Sequence, residues 1–236
     1  PYDPPQEVLD EVNQEDLPSP APRTAHTEFL RRQFVEAHRA RWCQLDYEEF
    51  SDAQIAKVQA HYTALVRQID DGVGTSVAPL KASGRYHNTI IIFSSDHGDH
   101  MGDFGMVAKG TFMESSIRVP MIVHIPGQGE ARVMDEVVSL TDVNATLRAL
   151  AGLEPAETSD SRILPGLPHL PTCPREYVFG SLYGDFMVTD REWKLIRYGN
   201  GEVHLFHISA APPEQTNLAD DPAYREPVCR LDRIMT

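Results

Sequence analysis

Apolar residues recur at the spacing of one helix face after residue 50. They stand three or four positions apart and form a single stripe: Ile55, Val58, Tyr62, Leu65, Ile69 and Val73. Ser51 and Gln54 precede the stripe in the Ser-x-x-Gln arrangement of a capping box, which predicts where the helix begins. Gly84 follows the stripe and predicts where it ends, because glycine commonly terminates helices. The pattern therefore predicts one long amphipathic helix.

Two short apolar runs without alternation, residues 88–95 and 119–125, predict buried strands. Strands buried on both faces have this composition and are typical of parallel sheets covered by helices. Asp142 is a candidate N-cap for a helix over residues 143–150, and Gly152 is its predicted end. Helix, strand, loop, strand and helix together indicate an α/β fold with a mixed, largely parallel central sheet flanked by helices.

The pattern changes after a proline-rich stretch at residues 155–174. Four short segments rich in β-branched and aromatic residues then predict strands: residues 177–183, 186–189, 193–198 and 203–207. Asn200-Gly201 lies between the last two and predicts a hairpin, because a tight turn there requires positive φ. We therefore predict a small C-terminal antiparallel sheet with a terminal helix over residues 222–235.

The first 50 residues show no sustained period and hold six prolines: Pro1, Pro4, Pro5, Pro18, Pro20 and Pro22. Proline removes a backbone donor and forces its predecessor away from the helical region. Residues 1–50 are therefore predicted to be an extended arm with a short helix near residues 29–41. An α/β part at 51–155 and a small antiparallel subdomain at 156–236 complete the predicted organisation.

The composition of the 236 residues, 41% hydrophobic and 24% charged, is sufficient for a hydrophobic core. A formal net charge of -14 argues against a nucleic-acid partner, which needs clustered Lys and Arg on one face. No apolar run approaches the about 18 residues of a membrane span. Three scattered cysteines, Cys43, Cys173 and Cys229, are too few for a disulfide framework or a four-thiolate zinc site.

The densest cluster of potentially reactive polar groups, residues 94–103, directly follows the first predicted strand. In open α/β sheets ligands bind beyond the carboxyl ends of the strands, so placement and composition agree. Asp96 and His97 can both reach one divalent cation if the backbone turns sharply, which Gly98 permits. A carboxylate and an imidazole suit calcium, magnesium, manganese or zinc. The alternative is that Asp96 and His97 only cap the strand and begin a loop.

Two ligands do not complete a metal site, and no Asp-Asp pair stands at another predicted strand end. Asp70-Asp71 lies on the predicted helix, and Asp220-Asp221 lies in a late loop.

Lys109 stands in a loop that contains several glycines. It is either a solvated side chain or a point charge that binds an oxyanion of sulfate or phosphate. His100 and His97 would not share a face without a helix, so His100 is interpreted as a loop residue lining the cleft.

A long segment with a specific order of motifs resembles the second signature block of the sulfatase family in the alkaline-phosphatase superfamily. Residues 91–127 read IIFSSDHGDHMGDFGMVAKGTFMESSIRVPMIVHIPG. The family block has an apolar strand, Ser/Thr-Asp-His/Asn-Gly, a Gly-rich loop, a lysine, Arg-Val-Pro and another apolar strand. Flanking segments resemble the family too: residues 62–74, 140–147, 193–196, 205–207 and 217–222. Asn144-Ala145 departs from the usual Ala-Pro. The resemblance covers nearly the whole chain.

The resemblance implies that Asp96 and His97 are metal ligands and that Lys109 contacts the oxygens of sulfate or phosphate. The implied metal is Ca²⁺, with Mn²⁺, Mg²⁺ or Zn²⁺ as alternatives. The implied function is a metal-dependent sulfuric ester hydrolase acting on a small-molecule sulfate ester. Residues 51–155 would then be the C-terminal part of its α/β sulfatase-like domain. A phosphonate or phosphate ester hydrolase of the same superfamily is the nearest alternative.

The family's nucleophile motif, Cys or Ser-x-Pro or Ala-x-Arg, is not found in the chain, so no catalytic nucleophile is assigned. Residues 19–23 match the Ser-x-Ala-x-Arg form of this motif, but they contain two prolines and follow no predicted strand, so they are interpreted as an ordinary loop. Residues 229–233 lack the middle Pro or Ala and fall in the predicted terminal helix.

The opening Pro1-Tyr2-Asp3-Pro4-Pro5 is neither a signal peptide nor a usual translation start. We expect the nucleophile, as formylglycine, in a missing N-terminal part that acts together with this chain, and any signal peptide upstream of Pro1. Without that part, the remaining alternative is a non-catalytic binding module.

Overall fold

The computed structural model describes residues 2–42, 50–128, 130–154, 160–171, 174–209 and 214–235. The chain divides into two compact units, Pro1–Pro126 and Gly127–Thr236. The first contains helices α1 (Gln6–Leu9), α2 (Glu28–Ala37), α3 (Asp52–Ala82) and α4 (Glu114–Ile117) and strands β1 (Ile91–Ser94) and β2 (Met121–His124). The second contains helices α5 (Asp142–Leu150) and α6 (Arg225–Met235) and strands β3 (Val178–Leu182), β4 (Asp185–Thr189), β5 (Trp193–Arg197) and β6 (Val203–His207). None of the helices in these described ranges is both long and apolar enough to cross a membrane.

Helix α3 begins with the predicted capping box. The Gln54 backbone N–H donates to the Ser51 hydroxyl at 3.4 Å, and the Ser51 N–H donates to the Gln54 side chain at 2.8 Å. Gly84 follows the helix in the left-handed conformation, φ 71°, which confirms the predicted end. The apolar stripe is only partly buried, because Ile69 remains 54% exposed. The helix therefore buries its N-terminal half against this unit and leaves its middle open.

Strands β1 and β2 pair antiparallel, from Ile91 opposite His124 to Ser94 opposite Met121. The α/β class is confirmed, but the pairing of these two strands differs from the parallel character that their composition suggested. An unalternating apolar run carries no information on strand direction. The predicted burial on both faces is also wrong, because β1 is only half-buried along its length and Ile122 of β2 is 62% exposed. The direction is set by the intervening segment, residues 95–120, which returns the chain alongside β1.

The N-terminal residues pack against helix α3 and against the loop that contains Val107, both within the first unit. The predicted short helix is present as α2, and its Val35 forms a small core with Val107. The His61 ring N–H donates to the Tyr2 carbonyl at 2.9 Å, and Arg67 pairs with Glu11 at 2.6 Å. The boundaries at residues 50 and 155 stay predictions.

The second unit holds the predicted meander, with strand order β3-β4-β5-β6 and every pair antiparallel. Gly201 has φ 92° in the β5–β6 connection, as the Asn-Gly hairpin signal requires. On one face of the sheet Leu231 of α6 closes a core, fully buried like its neighbours Val188, Leu195 and Leu205. The C-terminal antiparallel sheet and its terminal helix are therefore confirmed.

Two buried ionic groups stabilise the second unit. Lys194 and Glu214 are 0% and 2% exposed, with Nζ and Oε1 2.5 Å apart. The Asp142 carboxylate pairs with Arg175 and accepts the Ser139 backbone N–H at 2.8 Å. The prediction of Asp142 as an N-cap is wrong, because the cap position is Thr141 and Asp142 is the first helical residue. Its carboxylate is held by residues outside the helix instead.

Candidate active site

Strand β1 ends at Ser94, and Asp96 and His97 follow it at once. The Asp96 carboxylate lies 3.3 Å from His97 Nε2, and the two side chains are 83% and 40% exposed. His97 Nδ1 lies 2.9 Å from the Gly98 carbonyl oxygen. Since a carbonyl can only accept, Nδ1 carries a proton, and Nε2 is the ring nitrogen that lies beside the carboxylate. A hydrogen bond from Nδ1–H to a carbonyl is the orientation typical of a histidine that ligates a metal through its other nitrogen.

Gly98 is required here by a close approach of two backbones. A Cβ at this position would lie 2.2 Å from the Ser115 carbonyl oxygen. The Gly98 N–H donates to the Ser116 carbonyl at 2.8 Å, which holds the two segments together. The turn that contains Asp96 and His97 is therefore packed against, and hydrogen-bonded to, the segment around Ser115 and Ser116 that precedes β2. Gly98 is needed here because it has no side chain. A positive φ is not the reason, since the φ of Gly98 lies outside the left-handed region.

Lys109 lies on the exposed rim of the same loop. Partial desolvation raises the pKa of Asp96, but the His97 charge, backbone N–H groups and the Lys109 ammonium outweigh it, so this pKa lies below its usual value. Within the described part of the chain, Lys109 makes no salt bridge. The structure thus places Asp96 and His97 side by side just after β1 and leaves the Lys109 ammonium exposed, near enough for its charge to act on Asp96.

His100 has a different place from the one expected. It is 1% exposed, and its ring nitrogens lie 2.8 Å from the Ser115 hydroxyl and 3.1 Å from the Thr111 hydroxyl. Burial lowers its pKa to about 4, against an opposing effect of the Asp99 charge, so the ring is neutral near pH 7. The prediction that His100 lines the cleft is wrong: it is a buried crosslink of the loop.

The contact between Tyr2 and Asp99 was not predicted from the sequence. The Tyr2 hydroxyl donates to Asp99 at 2.7 Å, and the Asp99 carboxylate also accepts two backbone N–H groups of its own loop. Asp99 stands directly after the Asp-His-Gly motif, which was the available signal for it. Tyr2 is 97 positions away, so local spacing carried no signal for this contact.

The rejected nucleophile candidates occupy structural positions. The Ala21 N–H donates to Asp103 at 2.7 Å and its carbonyl accepts from the Phe104 N–H at 2.8 Å, so residues 19–23 form a loop that braces this turn. Cys229 is an exposed free thiol on α6. Cys43 and Cys173 lie outside the described residues. Both rejections agree with this placement.

The donor atoms fit part of a divalent metal site. Asp96 offers exposed carboxylate oxygens, and His97 offers Nε2 beside them. Over the ranges that the structure describes, no group of three or more His, Cys, Asp or Glu side chains could hold a metal ion. That further ligands come from elsewhere stays a prediction.

Comparison with known proteins adds independent information. The family model for sulfatases matches residues 7–153, a span that includes Asp96, His97 and Lys109. The chain is 29% identical over 245 residues to an arylsulfatase of Clostridium perfringens, covering 100% of this chain and 50% of that protein. It is 30% identical over 187 residues to a choline-sulfatase of Rhizobium meliloti, covering 75% of this chain and 36% of that protein.

A solved structure supports the fold. The phosphonate monoester hydrolase SpPMH from Silicibacter pomeroyi matches 98% of this chain and 52% of its own, with a TM-score of 0.82 and 24% identity. At this identity the likeness concerns the fold alone. The chain spans about half or less of the length of these relatives. Because the family model covers more than half of the chain, including the Asp-His-Gly motif and its lysine, the chain belongs to the sulfatase family.

Proposed function

We propose that this chain supplies two metal ligands, Asp96 and His97, and a sulfate-binding lysine, Lys109, to a metal-dependent sulfuric ester hydrolase. The observation that supports the proposal is the Asp96 carboxylate 3.3 Å from His97 Nε2 just after β1, with the exposed Lys109 acting on it by its charge. Each belongs to the segment matched by the sulfatase family model. The substrate class is a small-molecule sulfate ester.

Membership of the sulfatase family implies a divalent metal and a formylglycine in general terms. We propose Ca²⁺ as the metal, because the Asp96 carboxylate is a hard oxygen ligand, with Mn²⁺, Mg²⁺ or Zn²⁺ as alternatives that suit His97. When bound, such an ion offsets negative charge on the group being transferred. The formylglycine and further ligands would belong to the half of the family fold that this chain does not span.

The chain's own residues have defined tasks in this proposal. Asp96 provides negative charge toward the cation, and His97 is oriented by its Nδ1–H bond to the Gly98 carbonyl. Lys109 attracts a sulfate oxygen and stabilises the negative charge that develops on it, acting from a position set before the substrate arrives. This local positive charge is needed because the chain carries a net charge of -14, which repels anions at longer range.

A phosphonate ester hydrolase is the second candidate, favoured by the match to SpPMH with a TM-score of 0.82. Sulfate and phosphonate monoesters both present anionic oxygens that a metal and a lysine can bind. The two candidates therefore differ in the group transferred, while Asp96, His97 and Lys109 would keep their roles.

The test uses the natural full-length polypeptide that contains this chain. We expect it to hydrolyse 4-nitrophenyl sulfate with a higher kcat/KM than a phenylphosphonate ester. We also expect Asp96→Ala, or removal of divalent metal by a chelator, to lower that value by about 100-fold or more. The exposed Asp52→Ala is the matched control and should stay near the wild type.

Preference for the phosphorus ester would overturn the sulfatase assignment in favour of the second candidate. Failure to hydrolyse either ester would favour the non-catalytic binding module. Near-normal turnover of the Asp96 variant would contradict the metal-ligand role.

A further inference from the structure

The loop between the Asp-His pair and Lys109 has an unusual backbone. Five of its residues have positive φ: Met101, Gly102, Phe104, Gly105 and Ala108. For an alanine this conformation is unfavourable, because its Cβ approaches the following carbonyl oxygen. Ala108 has φ 72° and stands directly before Lys109. The direction in which Lys109 leaves the loop therefore depends on contacts that hold Ala108 in this conformation.

Asp99 provides one of these contacts and closes the loop. One of its carboxylate oxygens accepts the Met101 N–H at 2.9 Å and the Ala108 N–H at 3.1 Å. The His100 N–H donates to the Ala108 carbonyl at 2.7 Å. Ala108 is thus held through both its N–H and its carbonyl, and the chain from Asp99 to Lys109 forms a closed turn.

Tyr2 holds Asp99 from the other side. Its hydroxyl donates to the second carboxylate oxygen at 2.7 Å, and its carbonyl accepts from His61 of α3 at 2.9 Å. Its ring lies edge-on to Tyr62, with centroids 6.0 Å apart. Burial, the hydrogen bond to Asp99 and the charge of that carboxylate raise the pKa of Tyr2, so its hydroxyl stays protonated and remains a donor. Both oxygens of Asp99 are therefore engaged within the protein.

We propose that Asp99 is a positioning residue that holds Ala108 in its left-handed conformation and so presents Lys109 beside Asp96 and His97. The inference rests on the proposed function of Lys109. Asp99 acts as a hydrogen-bond acceptor rather than as a charge. Asparagine can therefore replace it: the amide oxygen accepts the two backbone N–H groups, and the amide nitrogen donates to the Tyr2 hydroxyl oxygen.

The experiment compares Asp99→Ala with Asp99→Asn in the full-length protein, with kcat and KM measured on 4-nitrophenyl sulfate. Misplacement of a group by about 1 Å costs up to about 100-fold in rate, so we expect Asp99→Ala to lower kcat/KM by about 10- to 100-fold. Asp99→Asn should stay within about threefold, since its amide oxygen still accepts the two backbone N–H groups that hold the turn. An Asp99→Asn loss as large as that of Asp99→Ala would overturn the proposal and indicate a role for the charge.

The matched control is Asp103→Ala in the same loop. The Asp103 carboxylate accepts the Ala21 N–H at 2.7 Å, so its loss loosens the loop at a different point. We expect a lower Tm, as for Asp99→Ala, with kcat/KM within about threefold of the wild type. A loss of kcat/KM equal to that of Asp99→Ala would show that general loosening of the loop, and not Asp99, is responsible.

Amide hydrogen exchange, measured without substrate, separates this inference from the proposed function. Protection of the Met101 and Ala108 amides should fall in Asp99→Ala and persist in Asp99→Asn. Unchanged protection in Asp99→Ala would overturn the inference even in an active sulfatase. Conversely, a wild type that hydrolyses no sulfate ester would overturn the proposed function and leave the exchange result to decide whether Asp99 holds Ala108.

A milder variant covers the case in which Asp99→Ala does not fold. Tyr2→Phe removes the hydroxyl that donates to the second Asp99 oxygen and also contacts the Ala108 backbone N–H. We expect it to lower kcat/KM about fivefold, in keeping with the loss of a hydrogen-bonded group. Wild-type kcat/KM together with wild-type exchange at Ala108 in this variant would contradict the support that Tyr2 gives to Asp99.

Discussion

Lys109 in the first unit and Lys194 in the second both act on carboxylates through their charge, in opposite surroundings. Lys109 is exposed, and its charge acts on Asp96, whose side chain is 83% exposed. Lys194 is 0% exposed and pairs with Glu214, which is 2% exposed. Water screens the first pair and is excluded from the second.

This difference in burial assigns the two lysines to different tasks. A screened surface pair contributes little to stability, so the Lys109 ammonium remains free to bind an anion. A buried pair has already lost its hydration, and removing one partner leaves an uncompensated charge in the interior. We therefore expect mutations at Lys194 to affect stability and mutations at Lys109 to affect activity.

The largest expected effect is on the stability of the second unit. Lys194→Met should lower the free energy of unfolding by about 3–5 kcal/mol, because the Glu214 carboxylate stays buried without the compensating charge of Lys194. Urea unfolding of the full-length protein measures this change. The double variant Lys194→Met with Glu214→Leu removes both charges and should recover much of the loss. A double variant no more stable than the single one would show that burial of the unpaired charge is not the cause.

Lys109→Ala should show the opposite behaviour. We expect kcat/KM on 4-nitrophenyl sulfate to fall by about 100- to 1,000-fold, the range for loss of a preorganised group that stabilises an oxyanion. The free energy of unfolding should change by less than about 0.5 kcal/mol, because the side chain is exposed. The exposed Lys57→Ala is the control and should leave both quantities unchanged. Full activity in Lys109→Ala would remove this residue from the site.

His100 makes the stability of the first unit depend on pH. Its pKa is about 4 in the folded protein, against 6.5 as its ordinary value. Between these values the unfolded chain binds more protons, so stability rises with pH and is lost as pH falls from about 6.5 to 4. A shift of this size corresponds to about 3 kcal/mol. Unfolding midpoints of the wild type and His100→Gln at pH 4.5 and 7 measure it, and an equal pH dependence in both proteins would contradict it.

A smaller effect separates a glycine needed for close approach from one that is not. A Cβ at Gly98 would lie 2.2 Å from the Ser115 carbonyl oxygen, so Gly98→Ala should destabilise by about 1–3 kcal/mol through overpacking. Gly72 lies on α3, and the methyl group that an alanine would add there has nothing within 4 Å of it. Gly72→Ala should therefore stabilise the protein by about 0.5–1 kcal/mol. Thermal unfolding compares the two, and equal Tm values would argue against the steric role of Gly98.

The features predicted correctly are those whose determinants are close together in the sequence. The capping box of α3 involves residues three positions apart, and the β5–β6 hairpin depends on Asn200-Gly201 between two short strands. Asp96 and His97 are adjacent, and their place follows from the strand that precedes them. Neighbours in sequence remain neighbours in space, so residue types and spacing are sufficient to predict such features.

The features that were missed depend on contacts between distant segments. The hydrogen bond of Tyr2 to Asp99 and the antiparallel direction of β2 against β1 cannot be read from any local spacing. His100 was assigned to the cleft because it would not share a face with His97 without a helix, whereas packing against Thr111 and Ser115 buries it.

The sequence by itself determined the α/β class, the helix and strand segments, and the Asp-His-Gly and lysine motif that places the chain in the sulfatase family. Only the tertiary structure decided which charges are exposed and which are buried, and so distinguished Lys109 from Lys194. The physical reason is that the effective strength of a charge depends on how much water its neighbours exclude. That exclusion is a property of packing, to which residues far apart in the sequence contribute.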